Sequence, residues 1–139
     1  MAIAYLTRRI SFAAAHRYRL PEWSDEENER VFGLCARPNY HGHTYSCEVT
    51  VRGPIDERTG MIVNLADLDR VLERDVRGRF DHANINLDLP EFADGKLVPT
   101  GENLARHIFN AVRRELGSVD VTEVRIAEDG TLSAAYRGE

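Results

Sequence analysis

Cys35-Ala36-Arg37-Pro38-Asn39-Tyr40-His41-Gly42-His43-Thr44-Tyr45-Ser46-Cys47-Glu48-Val49-Thr50-Val51-Arg52 carries most of what the sequence says about itself. From His43 onward it alternates. Tyr45, Cys47, Val49 and Val51 fall on one side, and Thr44, Ser46, Glu48, Thr50 and Arg52 on the other. Period two with one apolar face reads as a half-buried β-strand. On an extended segment residues i and i+2 point the same way, so His41 and His43 aim two imidazoles at one point. Gly42 adds no side chain between them. A third histidine, His16, closes the run Phe12-Ala13-Ala14-Ala15-His16. It reaches the same point if the two strands pair side by side.

Three histidines with one coordination position left open is the pattern of a catalytic zinc. Spacing alone leaves two rivals: a closed site with Cys35 as fourth ligand, and a satisfied pair of loop histidines. Arg37 beside Cys35 is expected to lower the thiol pKa and favour thiolate. Cys47, on the apolar side of its strand, reads as a small core residue.

Outward from this stretch, Ile3 to His16 reads as a strand and Arg17 to Leu34 as an acidic loop or lid. Gly53-Pro54 and Asp56 to Gly60 are turn signals, and Met61-Ile62-Val63 reads as a short returning strand. Asn64 caps a helix on which Leu65, Leu68, Leu72 and Val76 recur at helical spacing, with Gly78 as its stop. Phe80 to Asp94 reads as a loop. A second helix starts near Pro99-Thr100, carries Leu104, Ile108, Ala111, Val112 and Leu116, and ends at Gly117. Val121 to Ala127 and Leu132 to Arg137 form a hairpin around Asp129-Gly130. The order β-β-β-α-α-β-β predicts an α+β fold, an antiparallel sheet with two helices packed on one face. So few strands leave open edges, and edges are covered, paired or closed by partner subunits, so a homo-oligomer is expected.

The protein has 139 residues, the size of a single domain spanning 1–139. It is 42% hydrophobic and 29% charged, ordinary for a soluble globular protein. A net charge of −5 argues against a nucleic-acid binder with a general basic surface. No apolar run approaches the ~20 residues of a membrane span. The first residues place their charges after a short apolar stretch, the wrong order for a signal peptide. Two cysteines then read as reduced thiols of a cytoplasmic protein. Asp81-His82 and Glu128 read, from the residues alone, as loop and turn side chains, and His107 as a helix residue.

Taken together, several stretches resemble the 6-pyruvoyl-tetrahydropterin synthase family nearly end to end. They are Phe12 to His16, Cys35-x5-His41-Gly42-His43, Gly60 to Leu68, Phe80-Asp81-His82-Ala83-Asn84-Ile85-Asn86, Pro99-Thr100-Gly101-Glu102-Asn103-Leu104-Ala105, and Ala127-Glu128-Asp129. The resemblance implies the tunnelling fold, whose sheets join into a barrel of trimers and a homohexamer, a dimer of trimers with active sites between subunits. It implies that His16, His41 and His43 bind one Zn2+, that Cys35 is the catalytic base, and that Asp81 and His82 form a proton relay. It implies substrate contacts from Glu128, Thr100 and Glu102, with Glu128 accepting two parallel N–H bonds from the pterin ring. The implied substrate is 7,8-dihydroneopterin triphosphate, with Mg2+ accompanying the triphosphate. C-x5-H-G-H resembles the pyruvoyl enzymes, whereas relatives that make 6-carboxy-tetrahydropterin for queuosine usually show C-x3-H-G-H. Gly101 departs from the Thr or Ser usual before Glu-Asn. A zinc-binding module with Cys35 as ligand and no catalysis is the reading from another class.

Overall fold

The computed structural model describes residues 1–139. Strand β1 (Ile3–His16) and strand β2 (His41–Pro54) pair antiparallel along their full lengths, from Ile3 opposite Pro54 to His16 opposite His41. Strand β4 (Asp120–Asp129) joins β2 antiparallel, with a register shift at Thr50/Val51, and β5 (Leu132–Tyr136) closes the hairpin after β4. The outermost strand, β3 (Ala83–Asn84), is two residues long and runs parallel to β1. The sheet order is β3-β1-β2-β4-β5. β3 lies in the stretch expected to be loop, and it makes the sheet mixed at one edge.

Alternation on β2 sorts its side chains as expected. Tyr45, Cys47, Val49 and Val51 are fully buried, and Phe12 and Ala14 of β1 lie beside them. Phe12 stacks on Tyr45 with ring centroids 5.0 Å apart. Helix α2 (Leu65–Leu72), capped by the Asn64 side chain, and helix α5 (Gly101–Leu116), capped by Thr100, cover this face. Leu68, Leu72 and Val76 from the first segment, with Leu104, Ile108 and Val112 from the second, complete one apolar cluster of 22 buried residues. Burying each of these aliphatic groups contributes about 1.5–3 kcal/mol. The opposite sheet face is polar, with Thr7 hydrogen-bonded to Thr50 at 2.8 Å.

Several local expectations are corrected. Met61-Ile62-Val63 forms no strand. Ile62 and Val63 instead pack against the core from the side. The acidic segment holds helix α1 (Asp25–Phe32), started by Ser24, whose Oγ accepts from the Glu27 N–H at 3.1 Å. Gly78 does not stop the α2 segment. The backbone passes through a π-helical turn (Glu73–Arg77) into α3 (Gly78–Phe80), and the extra residue turns Phe80 into the core, where it is fully buried. A further short helix, α4 (Ile85–Asp88), follows β3.

Candidate active site

The paired ends of β1 and β2 build the site. Because His16 sits directly opposite His41, and His43 opposite Ala14, the pleat places all three imidazoles on the core side of the sheet. One donor nitrogen from each of His16, His41 and His43 lies within 4.8 Å of the other two. The Cys35 thiol is not part of this group.

The histidines are prepared as metal ligands by their surroundings. His16 is fully buried, and its Nδ1 donates to the Pro99 carbonyl at 2.8 Å, which leaves the lone pair on Nε2, 3.3 Å from the Tyr45 hydroxyl. The Tyr45 hydroxyl lies 3.0 Å from the same Nδ1. Burial pushes His16 down to about 4, and burial followed by the neighbouring His43 also lowers His41. A neutral imidazole is the form that ligates. Nε2 of His43 is buried with no hydrogen-bond partner. An orphaned buried nitrogen is costly unless something fills its lone pair, so the donor set fits a zinc ion.

Glu128, near the end of β4, is only 8% exposed. Its carboxylate oxygens lie 4.0 Å from His16 Nε2 and 3.8 Å from His43 Nε2, beyond hydrogen-bonding range. Tyr18 donates to Glu128 Oε1 at 2.9 Å. Tyr18, Gly101, Glu102, Ile126, Glu128 and Ala134 line a cleft of about 250 Å³ with one polar end and apolar walls. Two of the family-implied contact residues, Glu102 and Glu128, thus meet in one cleft. Thr100 stands at the helix start, its Oγ1 accepting from the Asn103 N–H at 3.1 Å.

Cys35 lies in a 3₁₀ turn (Gly33–Ala36) and is half-buried. Its carbonyl accepts from the Tyr18 N–H at 2.7 Å, tying the thiol loop to the Glu128 partner. Burial, and then the Glu128 charge, push the thiol pKa up, not down. The lowering expected from Arg37 is therefore corrected: sequence adjacency placed a guanidinium near the backbone, but the fold places a carboxylate near the sulfur. Cys47 is fully buried and unpaired, as its strand position predicts.

Asp81 and His82 pair through His82 Nδ1 and Asp81 Oδ2 at 3.1 Å. Asp81 also accepts from the Ala13 N–H at 2.9 Å, the leading cause of its lowered pKa. His82 is held at φ 61 and its side chain is 84% exposed. It borders an open depression with Ala13, Ala14, Gly42, Thr44 and His43, so one wall of that depression belongs to the histidine cluster. The pair stands at the β1 edge of the sheet, where the His82 N–H donates to the Ala13 carbonyl. His107 packs its ring on Phe92, with centroids 5.3 Å apart, and is no ligand.

Four supporting residues escaped the sequence reading. Tyr18, Tyr45 and the Pro99 carbonyl orient Glu128 and His16, and Asn86 clamps Arg17 by accepting from its N–H at 2.9 Å and donating to its carbonyl at 3.0 Å. No residue type marks a backbone carbonyl in advance. Asn86 was visible only as one more polar residue in a stretch read as loop.

Fold and site together define a tunnelling-fold domain with a three-histidine cluster able to take a metal ion. A family model described as 6-pyruvoyl tetrahydropterin synthase matches residues 5–139. The 6-pyruvoyl tetrahydrobiopterin synthase of Poecilia reticulata is 45% identical over 137 residues, covering 99% of this chain and 92% of its own. That of Homo sapiens is 43% identical, covering 98% and 92%. The structure of the Caenorhabditis elegans 6-pyruvoyl tetrahydropterin synthase superposes with a TM-score of 0.93 at 34% identity, covering 100% of this chain and 98% of that one. More distantly, the 6-carboxy-5,6,7,8-tetrahydropterin synthase of Bacillus subtilis is 32% identical, covering 76% of this chain and 71% of its own. The chain belongs to the 6-pyruvoyl tetrahydropterin synthase family.

Proposed function

We propose that this protein is a zinc-dependent lyase that converts 7,8-dihydroneopterin triphosphate to 6-pyruvoyl-tetrahydropterin with elimination of triphosphate. The observation that carries the reading is the placement of three clustered imidazoles beside a buried, tyrosine-held carboxylate that lines a cleft. The pyruvoyl branch is supported by the C-x5-H-G-H spacing and by the names of the full-length relatives.

His16, His41 and His43 hold the zinc, which supplies Lewis acidity toward the hydroxyl oxygens of the substrate. Glu128 accepts N–H bonds from the guanidine-like edge of the pterin, and the walls of Ile126 and Ala134 take the flat ring. Cys35, as thiolate, removes a C–H proton from the propyl arm of the substrate and returns it elsewhere. Triphosphate departs with its bonding electron pair. The alcohol beside the ring becomes a carbonyl as its two electrons reduce the C=N bond of the dihydropterin ring, and the other becomes a carbonyl when the enol left by triphosphate takes a proton and its end carbon becomes a methyl, so no external redox cofactor enters. Asp81 and His82 exchange protons with the hydroxyls. They stand at the β1 edge of the sheet, and in a hexamer they serve the site of an adjoining subunit.

The deciding experiment is a product assay with dihydroneopterin triphosphate on zinc-loaded protein. The expected product is 6-pyruvoyl-tetrahydropterin without acetaldehyde. Acetaldehyde with 6-carboxy-tetrahydropterin would move the protein to the queuosine branch. No turnover, with zinc lost in Cys35→Ala, would favour a zinc module in which Cys35 is a ligand.

A further inference from the structure

We propose that the cavity between the end of β1, helix α1 and the Cys35 loop is an oligophosphate pocket that takes the triphosphate of the substrate. That source of the anion rests on the reading given above; the affinity for an oligophosphate does not. The cavity measures about 460 Å³ and is lined by Arg17, Arg19 and Arg37 together with Ala36 and Pro38. This volume lies within the range of small-molecule sites.

Its position follows from the two strands that make the histidine cluster. Arg17 directly follows the end of β1 at His16, and Tyr40 directly precedes the start of β2 at His41. The Arg17 guanidinium stacks over the Tyr40 ring, 5.6 Å from its centroid. Ala36 and Arg37 follow Cys35 directly, so the thiol loop is also the pocket wall. A substrate whose propyl arm reaches Cys35 thus meets this pocket next.

The arginines are placed for an anion they do not find within the subunit. Arg17 Nε is buried without a hydrogen-bond partner, and Arg17 forms no ion pair. Its only side-chain hydrogen bond, to the Pro38 carbonyl, is long at 3.4 Å. The Asn86 clamp fixes its backbone, so the guanidinium is presented without further ordering. Arg37 is exposed and has no carboxylate partner. Arg19 is neutralised by Asp25 at 2.8 Å. Glu29 is the one acidic side chain on the lining that lacks an ion pair, and it opposes anion entry. Planar guanidinium groups bind phosphate oxygens in bidentate fashion, which suits two free arginines flanking a run of phosphates.

The test is calorimetric titration of zinc-loaded protein with inorganic tripolyphosphate. Arg17→Gln, Arg37→Gln and Glu29→Gln are compared with Arg70→Gln on the outer face of α2, and zinc content verifies the fold of each. Binding by the parent protein is expected, weakened at least tenfold in each of the first two variants, strengthened by Glu29→Gln and unchanged by Arg70→Gln. No binding by the parent, or equal binding by Arg37→Gln, overturns the pocket. Arg37 is exposed, so that variant stays informative if Arg17→Gln does not fold. A parallel titration with unphosphorylated dihydroneopterin separates the two readings, since its failure sinks the pterin assignment and leaves the anion result standing. If the anion is that of the substrate, Arg37→Gln raises KM for the triphosphate substrate at least tenfold and leaves dihydroneopterin affinity within twofold. An unchanged KM would sink the assignment to the substrate.

Discussion

Removing one oxygen from Tyr18 tests the whole reading of the cleft. Within the subunit, Glu128 is nearly buried, and its carboxylate accepts a single hydrogen bond, from Tyr18 at 2.9 Å. The imidazole nitrogens at 3.8 and 4.0 Å are too far to replace it. Tyr18→Phe keeps the ring, and with it the edge contact to His16 at 5.0 Å between centroids, but leaves the carboxylate without its donor. A hydrogen bond to a charged group contributes about 1.5–3 kcal/mol. If that bond fixes the orientation needed for the pterin edge, neopterin affinity falls roughly 10- to 150-fold. The assay is calorimetric or fluorescence titration of zinc-loaded protein with neopterin, with zinc content and melting temperature as controls. A dissociation constant within twofold of the parent, at unchanged zinc content, would refute the assignment of Tyr18 as the positioning residue for Glu128.

Further outcomes follow from other contacts. Cys35→Ala keeps zinc and loses about 10²- to 10⁴-fold in turnover; loss of metal in that variant would make the sulfur a ligand. His16→Ala binds zinc far more weakly while His107→Ala retains it, measured as metal per subunit after dialysis, and zinc at about 1,000 times its dissociation constant stabilises the parent by about 4 kcal/mol. His107 is held below its ordinary pKa first by burial, so between that lowered value and about 6.5 the unfolded state binds more protons and stability falls as pH falls through this window; in zinc-loaded protein, denaturant titrations of His107→Gln at about pH 7.5 and 5.5, either side of that ordinary value, show a smaller loss than the parent. A Cβ at Gly101 would meet the Ala134 Cβ at an ordinary 3.5 Å, so Gly101→Ala stabilises by up to about 1 kcal/mol and its thermal melt rises, whereas a fall would reveal a clash.

The parts of the fold that sequence revealed were those with an uninterrupted period. β2 alternates through its full apolar stretch because one face is sealed and the other is wet. α5 repeats its stripe over 16 residues and carries a capping threonine and a closing glycine. The Met61-Ile62-Val63 strand failed because β-branched composition reports packing as readily as strand pairing, and here Ile62 and Val63 pack against the core while Met61 stays exposed. Helix α1 was hidden because its residues are acidic and lack an apolar stripe. Its one signal was Ser24 with Glu27 three residues on, a capping box without a hydrophobic run behind it. The short parallel β3 was not legible, since two residues carry no period.

At the site, the three histidines were legible because strand geometry converts H-x-H into a direction. The Cys35 environment was not, because the carboxylate that raises its pKa comes from a residue 93 positions away on another strand. Adjacency in the sequence pointed to Arg37, and packing chose Glu128. Asp81 and His82 were named by the family resemblance, and only the fold shows that His82 shares a depression with His43.

Cys47 has a practical consequence. It is sealed in the core, and burial pushes its thiol up to about 12, so at pH 7 only about one molecule in 10⁵ carries the reactive thiolate. The native protein therefore presents one titratable sulfhydryl out of two. A thiol-reactive dye will label Cys35 alone until the protein unfolds, when a second equivalent appears. The first equivalent reports the exposure of the Cys35 loop and the second reports global unfolding, so one unmodified protein supplies both probes.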